Sequence, residues 1–298
     1  MSRPSGRIGL VQGVLAYGLW GIVAAYWKLL AHVGPVELIA HRAVWGLGAF
    51  MAIVIVAGQW RAFTTALRDP RLVGVMALSG ALLAVNWGVF VWATVTGHLL
   101  DASLGYFINP LVSIALGMIV LRERLRRLQW IAIALAAIGV GLLTWRAGRA
   151  PWIPLVLAST FGLYGLVRKT ARVDALVGST IETVLMAPVA GIYLAVVGGG
   201  VFPTASASTV TLLVGTGVVT AVPLVLFTSA ARRLPLSTVG FLQYLAPTGQ
   251  FLLAVLAFGE PLARDRLFAF CWIWLGLVVF SIDLVRQRTD HVSRLTRR

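Results

Sequence analysis

Four ionisable side chains lie inside long apolar stretches of this 298-residue chain. Glu37, His41 and Arg42 fall in one stretch, and Glu182 falls in another. Ionisable groups in such surroundings are costly, so they are commonly retained for binding or proton transfer. A planar arginine can hold a carboxylate with two donors, and a histidine can change charge near neutral pH. A glutamate can bind an ammonium group or a proton, so all four residues are candidates for chemistry.

Each candidate also has a structural alternative. Glu37 and Arg42 lie close enough to one end of their stretch to be partly solvated and paired with each other or with Lys28. Glu182 lies about nine residues, or about 14 Å, into its stretch. At that depth it must be protonated, paired or in contact with water. The alternative is a structural glutamate bonded to a neighbouring helix.

Prolines and polar residues coincide near the middle of three apolar stretches. The set comprises Asn109 with Pro110, Gln243 and Tyr244 with Pro247, and Pro223 alone. A proline inside a helix frees a carbonyl one turn earlier, which a side chain, water or a ligand must satisfy. We therefore expect a helix break at each of these prolines, with the three polar side chains beside them in a binding site. The alternative is that the prolines only kink helices for packing.

The composition predicts that membrane helices position these residues. The chain is 59% hydrophobic and 12% charged, with a mean hydropathy of +0.90, whereas about a quarter of the residues in a soluble domain are charged. The single cysteine, Cys271, excludes an internal disulfide scaffold. The net charge of +15 comes from short clusters between apolar stretches. This distribution favours a topology signal over a nucleic-acid-binding patch.

Ten apolar stretches approach the roughly 20 residues that a membrane-spanning helix needs. They cover residues 8–29, 36–57, 71–94, 102–121, 127–145, 151–167, 173–198, 209–231, 235–258 and 266–285. We therefore predict an all-α integral membrane protein with ten transmembrane helices. Of the 25 basic residues, 19 fall on one side of this arrangement and five on the other. The positive-inside rule then places both termini in the cytoplasm.

The two halves of the chain share one plan. Pro110 and Glu123 align with Pro247 and Glu260 at a constant offset of 137 residues. Because each half has an odd number of spans, the second half enters the membrane inverted. Such inverted repeats are typical of secondary transporters, which bind substrate near the midplane between the repeats. The predicted five-helix repeats are residues 1–149 and residues 150–298.

Four aromatic residues lie deeper in their spans than the aromatic belts expected at a membrane surface. They are Trp20, Trp87, Tyr106 and Tyr164, of which Trp20 and Tyr164 occupy corresponding positions in the two halves. They are candidates for the wall of a cavity that holds an apolar side chain or a flat ring. Core packing against glycine is the alternative.

Several motifs carry a family resemblance. They include Asp101-Ala-Ser-Leu-Gly-Tyr-Phe-Ile-Asn-Pro-Leu111, Glu37-Leu-Ile-Ala-His41-Arg42, Tyr164-Gly-Leu-Val-Arg-Lys169 and Phe258-Gly-Glu260. On these motifs the chain resembles the RarD branch of the EamA-type drug/metabolite transporter (DMT) superfamily. The resemblance implies a ten-helix carrier of the bacterial inner membrane, with relatives that export amino acids and related metabolites. The RarD name itself is attached to chloramphenicol sensitivity or resistance.

Motifs of other protein classes are missing from the sequence. It contains no phosphate-binding loop for ATP, no His-Glu-x-x-His metal motif and no Gly-x-Ser-x-Gly nucleophile turn. We therefore expect no enzyme activity, no cofactor and no metal site. A filter-like run of carbonyl donors, which would indicate a channel, is also missing.

These observations predict a secondary transporter that exports small metabolites by alternating access, with amino acids, neutral and aromatic ones included, as the expected cargo. Its expected partners are a small-molecule substrate and the lipid bilayer, not nucleic acid; a proton as coupling ion and the oligomeric state are left open. In the predicted site, the aromatic residues bind the substrate side chain. Asn109, Gln243 and Glu182 hold its amino group, and Arg42 or His41 meets its carboxylate. The alternatives are a chloramphenicol-type drug permease and a membrane receptor or structural subunit without transport.

Overall fold

The computed structural model describes residues 3–95, 99–147, 152–257, 267–268, 271–283 and 286, and they are almost entirely helical. The helices are α1 (Arg3–Leu29), α2 (Pro35–Val56), α3 (Trp60–Leu67), α4 (Pro70–Val95), α5 (Leu99–Ile119), α6 (Arg127–Ala147), α7 (Trp152–Thr170), α8 (Ala175–Val196), α9 (Ala207–Arg233), α10 (Leu236–Gln243), α11 (Leu245–Leu252) and α12 (Cys271–Asp283). A 3-10 turn, Phe202–Thr204, precedes α9. No strand occurs in these ranges, in agreement with the predicted all-α class.

Five of these helices are long and apolar enough to cross a membrane: α1, α2, α4, α8 and α9. The apolar parts of α5, α6 and α12 in the described ranges are shorter. The ninth predicted span, residues 235–258, contains two short helices, α10 and α11, instead of one long one, and a π-helical segment, Leu253–Ala257, continues α11. The ten-span topology and the cytoplasmic termini therefore remain predictions.

Helix α3 is an element that the sequence analysis did not anticipate. It occupies the connection between α2 and α4, and it buries Phe63 while Arg61 and Thr65 stay exposed. Its buried face packs near the start of α8. With only two turns, α3 is too short to give a spanning signal. The basic residues of the connection between α2 and α4 suggested only a cytoplasmic loop.

Helix breaks were predicted at three prolines, and the structure shows a break near only one of them. Helix α5 continues through Pro110 and α9 continues through Pro223, so the breaks predicted at these two residues are wrong. The third break is present but displaced, because α10 ends at Gln243 and α11 begins at Leu245. The ring of a helical proline clashes with the carbonyl four residues earlier, which here is that of Gln243. The break at Tyr244 is therefore a consequence of Pro247.

Helix packing joins the two halves of the chain in reciprocal pairs. Helix α1 packs against α9, and α7 packs against α4; likewise α2 contacts α9, and α8 contacts α4. Helix α5 packs against α7, and α1 packs against α11. The remaining large contacts, α2 with α8 and α5 with α10, join elements at corresponding places in the two halves. Reciprocity of this kind is what a pseudo-twofold relation between two repeats produces.

The outer surface of the helices is aliphatic. Along α8, Leu176 and Ile181 are buried, whereas the opposite end of the helix exposes Val189, Ile192 and Val196 by 72%, 66% and 80%. Bare aliphatic surface on this scale is unfavourable in water but is the ordinary lipid-facing surface of a membrane helix. The polar side chains described below lie on the inner faces.

Side chains near one end of the molecule tie the two halves together. Glu123, which follows α5, accepts hydrogen bonds from the backbone N–H groups of Leu236 at 2.6 Å and Ser237 at 3.0 Å. These N–H groups begin α10, where a carboxylate also interacts favourably with the helix dipole. Lys169 of α7 donates to the carbonyl of Leu234 in the turn before α10. Both contacts hold the start of α10 against the first half and α7.

Candidate functional site

A cavity of about 330 Å³, counting its open mouth, is lined by residues of α2, α4, α8 and α9. Three sequence-predicted residues line the cavity, namely Arg42, Trp87 and Glu182, together with Thr183 and Thr220. Since α2 and α4 belong to the first half and α8 and α9 to the second, the cavity lies between the halves.

Arg42 of α2 presents a guanidinium group to this cavity. Its Nε donates to the hydroxyl of Thr220 at 3.2 Å. Its Cζ lies 4.6 Å from the centre of the Trp87 ring and 5.0 Å from that of Trp27, distances that give cation–π attraction. None of the carboxylates in the described ranges forms an ion pair with it. The guanidinium of Arg42 is therefore positioned by Thr220 and two indole rings, and it has no anionic partner among the described residues.

Glu182 of α8 is 1% exposed and lies at the wall of the same cavity. Its Oε1 lies 3.4 Å from Nη1 of Arg168, and its Oε2 accepts a hydrogen bond of 3.4 Å from the hydroxyl of Tyr164. The sequence analysis required a deep glutamate to be protonated, paired or solvated. In the structure Glu182 is paired, and both partners come from α7.

Arg168 is the important residue that sequence reasoning missed, because it was counted among the cytoplasmic basic residues. It is 1% exposed, and besides Glu182 it donates to the carbonyl of Ala175 at 2.8 Å. It also approaches Met76 Sδ at 3.0 Å and Ser179 Oγ at 3.5 Å. A basic residue in the last turn of a helix is normally a surface residue, so composition gave no signal. The available clue was its place about four residues after Tyr164, on one helix face.

Gly178 makes room for this ion pair. The space that a β-carbon would occupy at Gly178 is filled by the guanidinium of Arg168. Any side chain at this position of α8 would displace Arg168 or push α7 away. The pairing of Arg168 with Glu182 thus depends on a glycine one turn before the glutamate.

His41 does not line the cavity, although it is adjacent to Arg42 in sequence. Its ring stacks on Phe202 with 5.4 Å between centroids, and its Nε2 lies 3.6 Å from Oε1 of Glu37. Glu37 in turn accepts a hydrogen bond of 2.6 Å from the backbone N–H of Val201. Glu37 and His41 therefore hold the start of the 3-10 turn before α9. This arrangement corrects the expectation that His41 faces the cavity together with Arg42, and that Glu37 pairs with Arg42 or Lys28.

The predicted amide cluster lies elsewhere, at the contact of α5 with α10. The amide of Gln243 donates to Ser113 Oγ at 3.2 Å, and both residues are buried. Asn109 and Tyr244 are also buried, and among the described residues neither Asn109 Oδ1 nor the Tyr244 hydroxyl has a hydrogen-bond partner. These residues do not line the cavity of Arg42. The structure therefore separates two polar regions that the sequence had combined.

The aromatic residues also divide into two groups. Trp20 and Tyr164 meet through Phe227, with centroid distances of 5.7 Å and 5.8 Å, in a packed cluster that favours the core-packing interpretation for Trp20. Only Trp87 of the four predicted aromatic residues lines the cavity. Tyr106 packs edge-on against Phe90 at 5.8 Å and lies within electrostatic reach of Arg42.

Acidic residues in the part of the chain that the structure describes are engaged in local contacts. Asp69 accepts from the backbone N–H of Arg71 at 3.0 Å, and Asp174 accepts from that of Leu176 at 2.9 Å. Both bonds cap the start of a helix. No group of three or more His, Cys, Asp or Glu side chains in these ranges could hold a metal ion. Asp101 has no described side chain, and Glu260 lies outside the described residues.

Comparisons with known proteins agree with this architecture. The model of the EamA-like transporter family matches residues 7–145. An uncharacterized transporter of Pseudomonas aeruginosa is 48% identical over 96% of this chain and 97% of its own length. Protein RarD of Streptomyces exfoliatus is 44% identical over 97% of this chain and 93% of its own length. A crystal structure with 21% identity and a TM-score of 0.73 covers 96% of the chain and 99% of its own, so it supports the fold.

Proposed function

This chain belongs to the EamA-like transporter family, in the RarD branch of the DMT superfamily, and from that premise we propose that it is a secondary transporter exporting small carboxylate-bearing metabolites. The observation that carries the proposal is Arg42, a cation held in a cavity between the two halves without a described carboxylate partner. Amino acids, the cargo expected from the sequence, are the zwitterionic members of this substrate class.

Arg42 is suited to binding a substrate carboxylate. Its Nε is occupied by Thr220, and its ring contacts are to the faces of Trp27 and Trp87. The two terminal nitrogens have no hydrogen bond to a described side chain, so they can form the forked pair that a carboxylate prefers. Trp87 then offers an apolar face beside the bound carboxylate. A cation fixed before the substrate arrives also reduces the ordering cost of binding.

Alternating access is the transport mechanism in this proposal. Residues 1–149 and 150–298 act as inverted five-helix repeats, with ten spans and both termini in the cytoplasm of a bacterial inner-membrane protein. The reciprocal helix contacts across the cavity support this arrangement. Rocking of one repeat against the other would expose Arg42 to each side of the membrane in turn.

The proposal is tested by counterflow in proteoliposomes that contain the purified protein. Labelled amino acids and their α-hydroxy acid analogues are supplied outside vesicles loaded with the same unlabelled compound. Saturable counterflow of at least one carboxylate compound is expected, with loss in Arg42→Gln and no change in Arg61→Gln, which alters an exposed arginine of α3.

The same assay separates the other functions. Flux of chloramphenicol without flux of any carboxylate compound would identify a drug permease instead. A receptor or structural subunit would bind a ligand, seen as a raised melting temperature in detergent, without counterflow of any compound. Absence of carboxylate flux in either case overturns the proposal.

A further inference from the structure

Three ionised side chains dominate the electrostatics of the cavity region: Arg42, Arg168 and Glu182. Arg168 and Glu182 lie 3.4 Å apart and neutralise one another. Arg42 therefore contributes one positive charge that no carboxylate in the described ranges compensates. We propose that the cargo is a monocarboxylate anion with an apolar or aromatic body and no ammonium group. This inference rests on the proposed transport function and narrows its substrate class.

The other described acidic side chains are not available to balance Arg42. Glu37 binds the N–H of Val201, and Glu123 binds the start of α10. Asp69 and Asp174 cap α4 and α8, and Asp283 of α12 is engaged in a contact as well. A partly desolvated cation is costly until a counter-charge arrives, so binding of an anion offsets a penalty that the protein carries without it.

An ammonium group would find poor partners in the same cavity. It carries three donors and no acceptor, whereas the polar lining consists of Arg42, Glu182, Thr183 and Thr220. Thr220 already accepts from Arg42. Oε2 of Glu182 accepts from Tyr164, and Oε1 lies 3.4 Å from Arg168 without a hydrogen bond to a described residue, so an ammonium would have to compete with Arg168 for the charge of this carboxylate. It would also lie in the cavity that Arg42 lines, where a like charge disfavours its binding.

The remainder of the cavity lining is mainly apolar. Its walls include Phe50, Leu83, Trp87 and Leu224, and these side chains offer no charge to a ligand. A ring or a branched aliphatic chain would replace water against them with a favourable burial of apolar surface. The expected cargo therefore carries a carboxylate at one end and a hydrocarbon group at the other.

The experiment compares compounds that differ only in the group on the α-carbon. L-phenyllactate carries a hydroxyl where L-phenylalanine carries an ammonium, and L-2-hydroxyisocaproate has the same relation to L-leucine. Phenethylamine supplies the ammonium without a carboxylate. Counterflow of each is measured in proteoliposomes of the full-length protein, at neutral pH and matched concentrations.

We expect the hydroxy acids to be exchanged about tenfold or more faster than the corresponding amino acids, and phenethylamine not at all. In Arg42→Gln counterflow of the hydroxy acids should be lost, so that no preference over the amino acids remains. Arg42→Lys should keep the preference with a lower rate, because it keeps the charge and loses the forked geometry. This retained preference is a result that a purely structural role of Arg42 would not give.

Two results overturn the inference in distinguishable ways. Amino-acid flux equal to or faster than hydroxy-acid flux refutes the anion preference, while the transport of carboxylates stands. Saturable flux of neither class refutes the proposed function itself. If Arg42→Gln yields no folded protein, the wild-type ratio and the Arg42→Lys variant still decide between these results.

Discussion

Two arginines near the cavity, the half-buried Arg42 that lines it and the fully buried Arg168 behind Glu182, have different surroundings. Arg168 is enclosed by a carboxylate, a backbone carbonyl, a hydroxyl and a sulfur atom, so nearly every donor has a partner. Arg42 has one hydroxyl and the faces of two indole rings. The comparison indicates that the first cation is part of the helix packing and that the second is kept available for a ligand.

This difference has an energetic consequence. Removing one partner of a buried ion pair leaves the other charge uncompensated, at a cost of about 3–5 kcal/mol. Removing a cation that has no anionic partner leaves no such charge behind. Substitutions around Arg168 should therefore reduce stability, whereas substitutions of Arg42 should reduce transport.

The largest effect is expected for Arg168→Met. It leaves Glu182 buried without its cation, so the free energy of unfolding should fall by about 3–5 kcal/mol, a large part of the total for most proteins. Unfolding by SDS titration of protein purified in mild detergent measures this value. The double variant Arg168→Met with Glu182→Leu removes both charges and should recover most of the loss. A double variant as unstable as Arg168→Met alone would show that the lost stability does not come from an uncompensated charge on Glu182.

A smaller loss is expected for Gly178→Ala. The added methyl group occupies the space of the Arg168 guanidinium, and overpacking of this kind costs about 1–3 kcal/mol. The matched control is Gly191→Ala on the same helix, where nothing lies within 4 Å of the added atom. Alanine there should be neutral or slightly stabilising. Equal melting temperatures for the two variants in detergent would contradict the close approach of Arg168 to α8.

The contact of Glu123 with α10 provides a reference outside the cavity. Glu123→Gln keeps an acceptor but removes the negative charge from the start of the helix, so a loss of about 1 kcal/mol is expected. The contact lies away from Arg42, and the ratio of hydroxy-acid to amino-acid counterflow should therefore not change. A shift of that ratio in Glu123→Gln would mean that the start of α10 takes part in substrate selection.

The helical class and most helix positions could be predicted from the sequence because long apolar stretches have few alternatives in a membrane. Helix α3 could not, since two amphipathic turns give no spanning signal. A helix break was correctly predicted near Pro247, whereas the breaks predicted at Pro110 and Pro223 were wrong. Whether a helix continues through a proline depends on neighbouring contacts, which local sequence does not contain.

The site was predicted in part for the same reason. Depth in an apolar stretch pointed to Arg42 and Glu182, which both line the cavity, because depth in the membrane depends on position along one helix. It could not reveal that Arg168, in the last turn of α7, folds back against Gly178. It also could not separate His41 from Arg42, since adjacent residues on a helix point about 100° apart and only the packing decides which one faces the cavity.

The smallest effect on stability, and the sharpest test of the comparison, is expected for Arg42→Gln. Glutamine can still donate to Thr220, and the loss of two cation–π contacts of about 0.5–2 kcal/mol each is opposed by the removal of an unpaired charge. Because that charge is half-buried and has no described carboxylate partner, the free energy of unfolding should change by less than about 1 kcal/mol, although counterflow of hydroxy acids is abolished. SDS titration and counterflow are measured on the same preparation. If Arg42→Gln is as unstable as Arg168→Met, both arginines serve the packing, and the cavity has no cation reserved for a ligand.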